Sequence, residues 1–359
     1  DSEIEMAVDK GSIDSRDRSA PICEIELELL SGKVDDIFAL TRQLQKDLAL
    51  YPAIASKAER GYRAYLDTPL RPWKAKPANV HVGQTPVEAF RAIALGCLEH
   101  FQRNEDGLLA DSQPEFVHQA RVALRRLRSA IKLFAPVLPA DFVQAYGQTW
   151  QTLAGALGDA RNWDVFLSET LPPIAAAFSS HKDTKRLRNT AQKRARAARR
   201  DIVDLLSLRE YPCLLVEFTA AVYALHDSQA ISLVDFAQER LAAHARRARK
   251  LARRLPELEA DERHKMRIAF KKLRYALEFF APLWPERKLS PYLAALTSLQ
   301  DELGRLNDHV TAEALLASTL SKGDAGIAHG WLAGRQLLLL ETLPAAIETW
   351  LVQKAPWQH

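Results

Sequence analysis

The sequence predicts a mainly α-helical protein, two antiparallel four-helix bundles made by internal duplication, preceded by a small α+β unit. Three observations predict this. Amphipathic helical stretches follow one another from residue 85 onward, punctuated by Pro or Gly. One of them, "FVHQARVALRRLRSAIKLF" (116–134), returns as "ERHKMRIAFKKLRYALEFF" (262–280). Residues 1–66 instead alternate apolar and polar side chains, the period of strands.

Taken in order, "IEMAVDKGSI" and "APICEIELELL" read as two strands, and "SGKVDDIFALTRQLQKDL" as a helix starting near Ser31 or Asp35. A linker is expected over 71–84, within "RPWKAKPANVHVGQTP", which holds three prolines and no periodicity. Helices are then predicted at about 86–104, 114–135, 140–157, 162–178, 181–208, 210–226, 231–255, 261–281, 289–303, 307–320 and 326–341. These group into a unit at 1–70, a first bundle at 85–228 and a second at 229–345.

Aligning 116–139 with 262–285 gives ten identities in twenty-four, including His118/His264, Arg121/Arg267, Leu127/Leu273, Arg128/Arg274 and Phe134/Phe280. Arg125 and Arg126 become Lys271 and Lys272, keeping their charge. Both copies end in F-A-P-x-x-P, where proline forbids continuation of the helix. Downstream, "ALGDARNWDV" is matched by "ELGRLNDHV", and upstream "EAFRAIAL" faintly by "VDFAQERL".

A hydrophobic content of 47% and a charged content of 26% fit a globular protein of 359 residues with room for two or three domains. No apolar run reaches the ~18 residues of a membrane span. Cys23, Cys97 and Cys213 lie far apart with no CxxC pair, which argues against a zinc or disulfide framework and for the cytoplasm. The net charge of +4 splits into −5 over 1–70 and +9 over the remainder, so two regions face different partners.

Each helical residue advances ~100°. Measured from His118, Arg121, Arg125, Arg128 and Lys132 fall within a sector of ~80°, opposite Leu124, Leu127, Ile131 and Phe134. His264, Arg267, Lys271 and Arg274 repeat the first four positions. A solvated surface face would interleave acids as i,i+4 partners, yet 116–140 contains none. Like charges at this spacing repel by roughly 0.2–0.5 kcal/mol per pair, so repeating the arrangement points to an anionic ligand.

Two more basic stretches, 181–200 and 240–254, read as further walls of one groove: Lys182, Arg186, Lys193, Arg196 and Arg200 share a face on one, and Arg240, Arg247 and Arg254, with His244 beside them, on the other. A lining of Arg, Lys and His with few stacking rings suits phosphates without bases, which makes nucleic acid the weaker partner. "GDARNWD" and "GRLNDHV" invite a metal reading. However, Asp159, Asn162, Asp164, Asn307 and Asp308 follow a glycine and precede an expected helix, so capping or internal hydrogen bonding is the expected role. Arg161 remains able to reach the groove. "GWLAGRQLLLLETL" is expected as core with Arg335 pointing inward. Gly-rich phosphate loops, HExxH and nucleophile elbows do not occur.

The duplicated H-x-x-R…[RK]-[RK]-L-R helix, each copy followed by an LG…N…V segment, resembles the CHAD family (conserved histidine α-helical domain) over roughly residues 80–345. The resemblance implies two four-helix bundles related by pseudo-two-fold symmetry, with a basic central channel that binds inorganic polyphosphate and needs no cofactor. The matching positions are His118, Arg121, Arg125, Arg128, His264, Arg267, Lys271 and Arg274. Lys132, Lys193, Arg196, Arg200, Arg247 and Arg335 extend the site by helix-face reasoning.

"APICEIELELLSGK" followed by "SKAERGY" is similar to the C-terminal half of a CYTH domain, the triphosphate tunnel fold. That likeness implies a divalent cation, Mg²⁺ or Mn²⁺, on Glu24, Glu26 and Glu28, with Lys57 and Arg60 as basic partners. The family's N-terminal ExExK strand and about half of the tunnel are missing. The expectation is therefore a non-catalytic piece of a longer inorganic triphosphatase, cytoplasmic and associated with polyphosphate granules. Three functions stay open: polyphosphate binding, metal-dependent triphosphate hydrolysis with the helical half recruiting substrate, and nucleic-acid binding.

Overall fold

The computed structural model describes residues 2–15, 18–111, 113–178, 182–227, 230–255, 258–319 and 326–357. The alternating N-terminal segments form a two-stranded antiparallel hairpin, β1 (Glu3–Ser15) and β2 (Arg18–Ser31), in a register that sets Asp9 opposite Glu24. Gly32 then turns the chain at φ +105°, a conformation open to glycine, into helix α1 (Val34–Asp47). Helix α2 (Lys57–Tyr65), capped by Ser56, packs on β1. Lys33, not Ser31 or Asp35, occupies the N-cap position of α1.

Residues 66–84 contain no helix or strand, as expected for the linker, yet the segment is pinned. Buried Asn104 accepts from the Trp73 amide and donates to its carbonyl, both at 3.0 Å, while the Arg103 guanidinium lies 4.4 Å from the Trp73 ring centroid.

The helical half runs α3 (Pro86–Gln102), α4 (Glu105–Leu109), α5 (Pro114–Phe134), α6 (Ala140–Val165), α7 (Leu171–Ala177), α8 (Lys182–Ser207), α9 (Glu210–Tyr223), α10 (Leu233–Ala252), α11 (Ala260–Phe280), α12 (Glu286–Thr319) and α13 (Gly326–Leu351). Duplication is visible at the caps: Thr85 closes a capping box with Glu88 on α3, and Ser232 accepts from the Asp235 amide on α10. Helix α5 packs on α3 and α6, and α6 on α8; likewise α11 packs on α10 and α12, and α12 on α13. Between the bundles equivalent helices meet, α3 with α10, α5 with α11 and α6 with α12, as a pseudo-two-fold axis requires. Helix α9 joins α1 to the first bundle, where Arg42 pairs with Glu217 at 2.7 Å.

Four phenylalanines mark the axis. Phe90 and Phe134 have centroids 5.6 Å apart, their equivalents Phe236 and Phe280 6.3 Å, and Phe134 and Phe280 meet at 5.5 Å. Burying each such ring contributes about 1.5–3 kcal/mol. This seam holds α5 and α11 together and aims their opposite faces at a common space.

Three expectations about helices need correction. The breaks predicted after Gly158 and Gly304 do not occur: α6 and α12 run straight through. One helical glycine costs only about 1 kcal/mol relative to alanine, and packing of the whole helix outweighs it. Asp159, Asn162, Asp164, Asn307 and Asp308 are therefore mid-helix residues, not caps. Helix α6 continues through a π-helical turn (Phe166–Thr170) into α7, the wider turn absorbing Pro172 and Pro173, which lack amide donors. Helix α13 extends past Pro344 to Leu351, ten residues beyond its expected end. Among the described residues no helix is long and apolar enough to cross a membrane.

Candidate anion-binding groove

The 3.6-residue period places Leu124, Leu127, Ile131 and Phe134 in the core with no exposed surface, so the basic side of α5 faces outward toward α11. Two cavities open there, of about 270 Å³ and 610 Å³. Arg121, Arg125, Arg267 and Lys271 line both and form their shared wall, two positions from each repeat. The smaller cavity adds His118, Arg161 and Arg274, the larger Arg128, Lys132, Arg240, His244, His264 and Lys272.

Cations dominate this lining, and among the described residues most of them form no salt bridge. The buried Nε atoms of Arg121, Arg125, Arg128, Arg240 and Arg267 make no hydrogen bond. No carboxylate forms a salt bridge with Arg121, Arg125, Arg267 or Lys271 among the described residues. Cations crowded together without counter-charges repel one another, a cost that an anion bound among them would offset. Arg125 does rest on the Tyr275 ring, 5.3 Å from its centroid.

The electrostatics follow. Burial, reinforced by Arg125, Arg267 and Arg121, pushes the Lys271 ammonium down to about 6. Burial and Asp308 act in opposite senses on Arg267, which falls to about 10. Burial with Arg240, Lys272 and Arg247 takes His244 to about 4. His118 is also lowered, by burial and then by Arg161. At the rim Lys272 is lowered by burial, Lys132 and Arg247, so those three cations share one field. Burial raises the carboxyl of Asp308, the acid facing Arg267 and Lys271.

Not every predicted residue converges. Arg274 lines the smaller cavity, but its Nε donates to Glu278 at 2.7 Å and its Nη1 to Gln300 at 3.3 Å. Glu278, the counterpart of Lys132, also holds buried Arg126 at 2.5 Å across the repeat boundary. Lys193, Arg196 and Arg200 are exposed on α8, which packs on α6, and they line neither cavity. Arg247 is exposed beside the rim. Arg335 does not point inward: it is exposed, 5.5 Å from the Trp331 centroid, and α13 packs on α12 instead of entering the groove. Arg240 and His244, expected on the basic face of 240–254, do line the larger cavity; Lys272, legible only as the charge-keeping counterpart of Arg126, lines it as well.

On the hairpin, carboxylate oxygens of Asp9, Glu24 and Glu26 lie within 4.8 Å of one another, close enough to share a cation. Cross-strand register brings in Asp9, which sequence spacing did not predict, while Glu28 lies outside the cluster. Lys57 pairs with all three acids, at 3.2 Å to Glu24 and 3.0 Å to Glu26, and Arg60 pairs with Glu24. The acids fit a divalent cation by donor type, and Lys57 competes for the same oxygens.

A duplicated helical protein with an unneutralised cationic groove on its internal axis is the class that fold and site define. A CHAD domain profile matches residues 92–317, and the chain belongs to the CHAD domain family. The crystal structure of the CHAD domain from the plant Ricinus communis superimposes with a TM-score of 0.68 at 33% identity, over 80% of this chain and 98% of that one. PptA from Streptomyces chartreusis shares the fold, with a TM-score of 0.58 at 15% identity, over 77% of this chain and all of that one. An inorganic triphosphatase of Haemophilus influenzae is 40% identical over 77 residues. The match spans 20% of this chain and 22% of that relative.

Proposed function

We propose that this chain binds inorganic polyphosphate along the groove between α5 and α11. The observation that carries the reading is that Arg121, Arg125, Arg267 and Lys271, without a carboxylate salt bridge among the described residues, line the same two cavities from both repeats. Guanidinium forks match phosphate oxygens bidentately, and an extended polyanion can engage both rails at once. The rail from His118 to Lys132 is ~21 Å long at ~1.5 Å rise per residue, room for several successive phosphates. Among the described residues the aromatic rings that line the cavities, Phe166 and Tyr275, are buried, so no exposed ring there is placed to stack bases. A cytoplasmic setting with access to polyphosphate granules belongs to the same proposal.

The test is equilibrium binding of long-chain polyphosphate to the intact chain and to an Arg121→Gln/Arg267→Gln variant. The reading expects the variant to bind at least about 100-fold more weakly, since each charge-assisted contact contributes about 1.5–3 kcal/mol. Equal affinity of the two proteins would place the site elsewhere.

A second reading rests on the Asp9, Glu24 and Glu26 cluster with Lys57 and Arg60. This hairpin has the residues of one wall of a triphosphate site holding Mg²⁺ or Mn²⁺, and a relative named inorganic triphosphatase fits a parent in which the helical half recruits substrate. Triphosphate hydrolysis by this chain with Mg²⁺, lost on Glu26→Ala, would favour this reading; no turnover leaves the chain a binding module.

A further inference from the structure

We infer that Lys271 is a covalent modification site, an amine that acyl phosphates acylate because the arginines around it hold their phosphate. The inference shares with the proposed function the premise that this groove binds phosphate, and adds a reaction to it.

Lys271 lines both cavities and is therefore reachable from two sides. The groups facing it come from every wall. Helix α5 contributes His118, Arg121 and Arg125; α11 itself contributes Arg267, Arg274 and Tyr275. Helix α6 supplies Arg161, α10 supplies Arg240 and His244, and α12 supplies Asp301 and Asp308. Lys271 has no salt-bridge or hydrogen-bond partner among the described residues, so no acid holds its proton. A buried amine among fixed guanidinium charges loses that proton readily, in line with its descent to about 6. An exposed lysine near its ordinary ~10.4 is unprotonated in roughly one molecule in 2,500 at pH 7.

Arg121, Arg125 and Arg267 line the same two cavities as the amine and form no salt bridge with a carboxylate among the described residues. An acyl phosphate held there brings its carbonyl to the amine, and the fraction of Lys271 that stays unprotonated beside the bound phosphate is the nucleophile. The amine nitrogen attacks the carbonyl carbon, and the C–O bond to phosphate breaks. The electron pair leaves with the phosphate, which takes up the amine proton, so that amide and hydrogen phosphate are the products. The same guanidinium groups stabilise the departing charge. Acylation removes the amine's ability to become cationic, and so weakens the groove for any polyanion.

The experiment incubates the intact chain with acetyl phosphate at pH 7 and measures initial acetylation rates at each lysine by peptide mass spectrometry. Lys271 is expected to react at least about ten-fold faster than Lys185, Lys193 and Lys288, which are exposed and line neither cavity, after allowance for the lower nucleophilicity of a weaker base. A rate at or below that of the exposed lysines overturns the inference. Inorganic triphosphate added in excess separates the two readings. Protection of Lys271 supports both; fast labelling that triphosphate does not suppress leaves the reactive lysine standing and counts against the groove as a polyphosphate site. A Lys271→Arg variant, which keeps a cation but no acylable amine, must lose the fast site while the exposed lysines react unchanged; persistence of the fast acetylation overturns the assignment.

Discussion

Arg125 and Lys271 occupy the same position in the two copies of one helix and line the same two cavities, with no carboxylate paired to either among the described residues. Duplication thus sets two cations around one groove, where burial, reinforced by Arg125, Arg267 and Arg121, lowers the affinity of Lys271 for its proton. The groove is poised to gain charge when an anion arrives.

Binding is therefore expected to take up protons. Free Lys271 titrates near 6, and a bound polyanion moves it back toward the ordinary ~10.4, so between these values the complex holds about one more proton than the free protein. Affinity should fall about ten-fold per pH unit as pH rises through that window. Calorimetry at pH 7.5 in buffers of different ionisation enthalpy reads the uptake directly, and Lys271→Arg should abolish it while binding persists.

Function and stability oppose each other at this residue. Below ~10.4 the unfolded chain protonates Lys271 while the folded chain does not until about 6, so the residue lowers stability across that range. Lys271→Met is expected to stabilise the free protein by about 1–4 kcal/mol, the usual gain when a buried ionisable group gives way to a packed apolar one. Thermal unfolding should show Tm raised by a few degrees, while polyphosphate affinity falls.

Arg126 and Glu278 should behave in the opposite way. Their 2.5 Å pair joins the repeats, and Arg126 also lies 5.0 Å from the Phe279 centroid. Glu278→Ala leaves Arg126 buried without compensation and is expected to cost about 3–5 kcal/mol in urea unfolding. The double change Arg126→Met/Glu278→Leu should lose much less.

Salt dependence separates the groove from the outer basic helix. Arg125→Glu should flatten the slope of log affinity against log salt by roughly one phosphate contact or more. Reversing Lys193, Arg196 and Arg200 together, on exposed α8, should leave the slope of tight binding unchanged.

The rails were legible because the helical period alone collects His118, Arg121, Arg125, Arg128 and Lys132 on one face, and the repeat shows the pairing partner. Even the weak match of "EAFRAIAL" to "VDFAQERL" proved structural, since it aligns Phe90 with Phe236 in the seam. What stayed hidden depends on three-dimensional register. Gly158 and Gly304 looked like breaks because sequence does not reveal how well a long helix is supported on either side. Asp9 joins Glu24 and Glu26 only through hairpin pairing. Arg335 and the α8 cations carry the right charge on helices that pack elsewhere. Glu278 stands where the first repeat has Lys132, a charge reversal visible in the alignment whose meaning needed Arg126 in place.

The central claim is tested most directly by competition. Labelled long-chain polyphosphate bound to the intact chain is challenged with duplex DNA and with RNA at equal phosphate concentration and fixed salt. A groove built for phosphates without bases predicts that unlabelled polyphosphate displaces the label while either nucleic acid does so only at large excess. Displacement by DNA or RNA at equal phosphate would contradict the account.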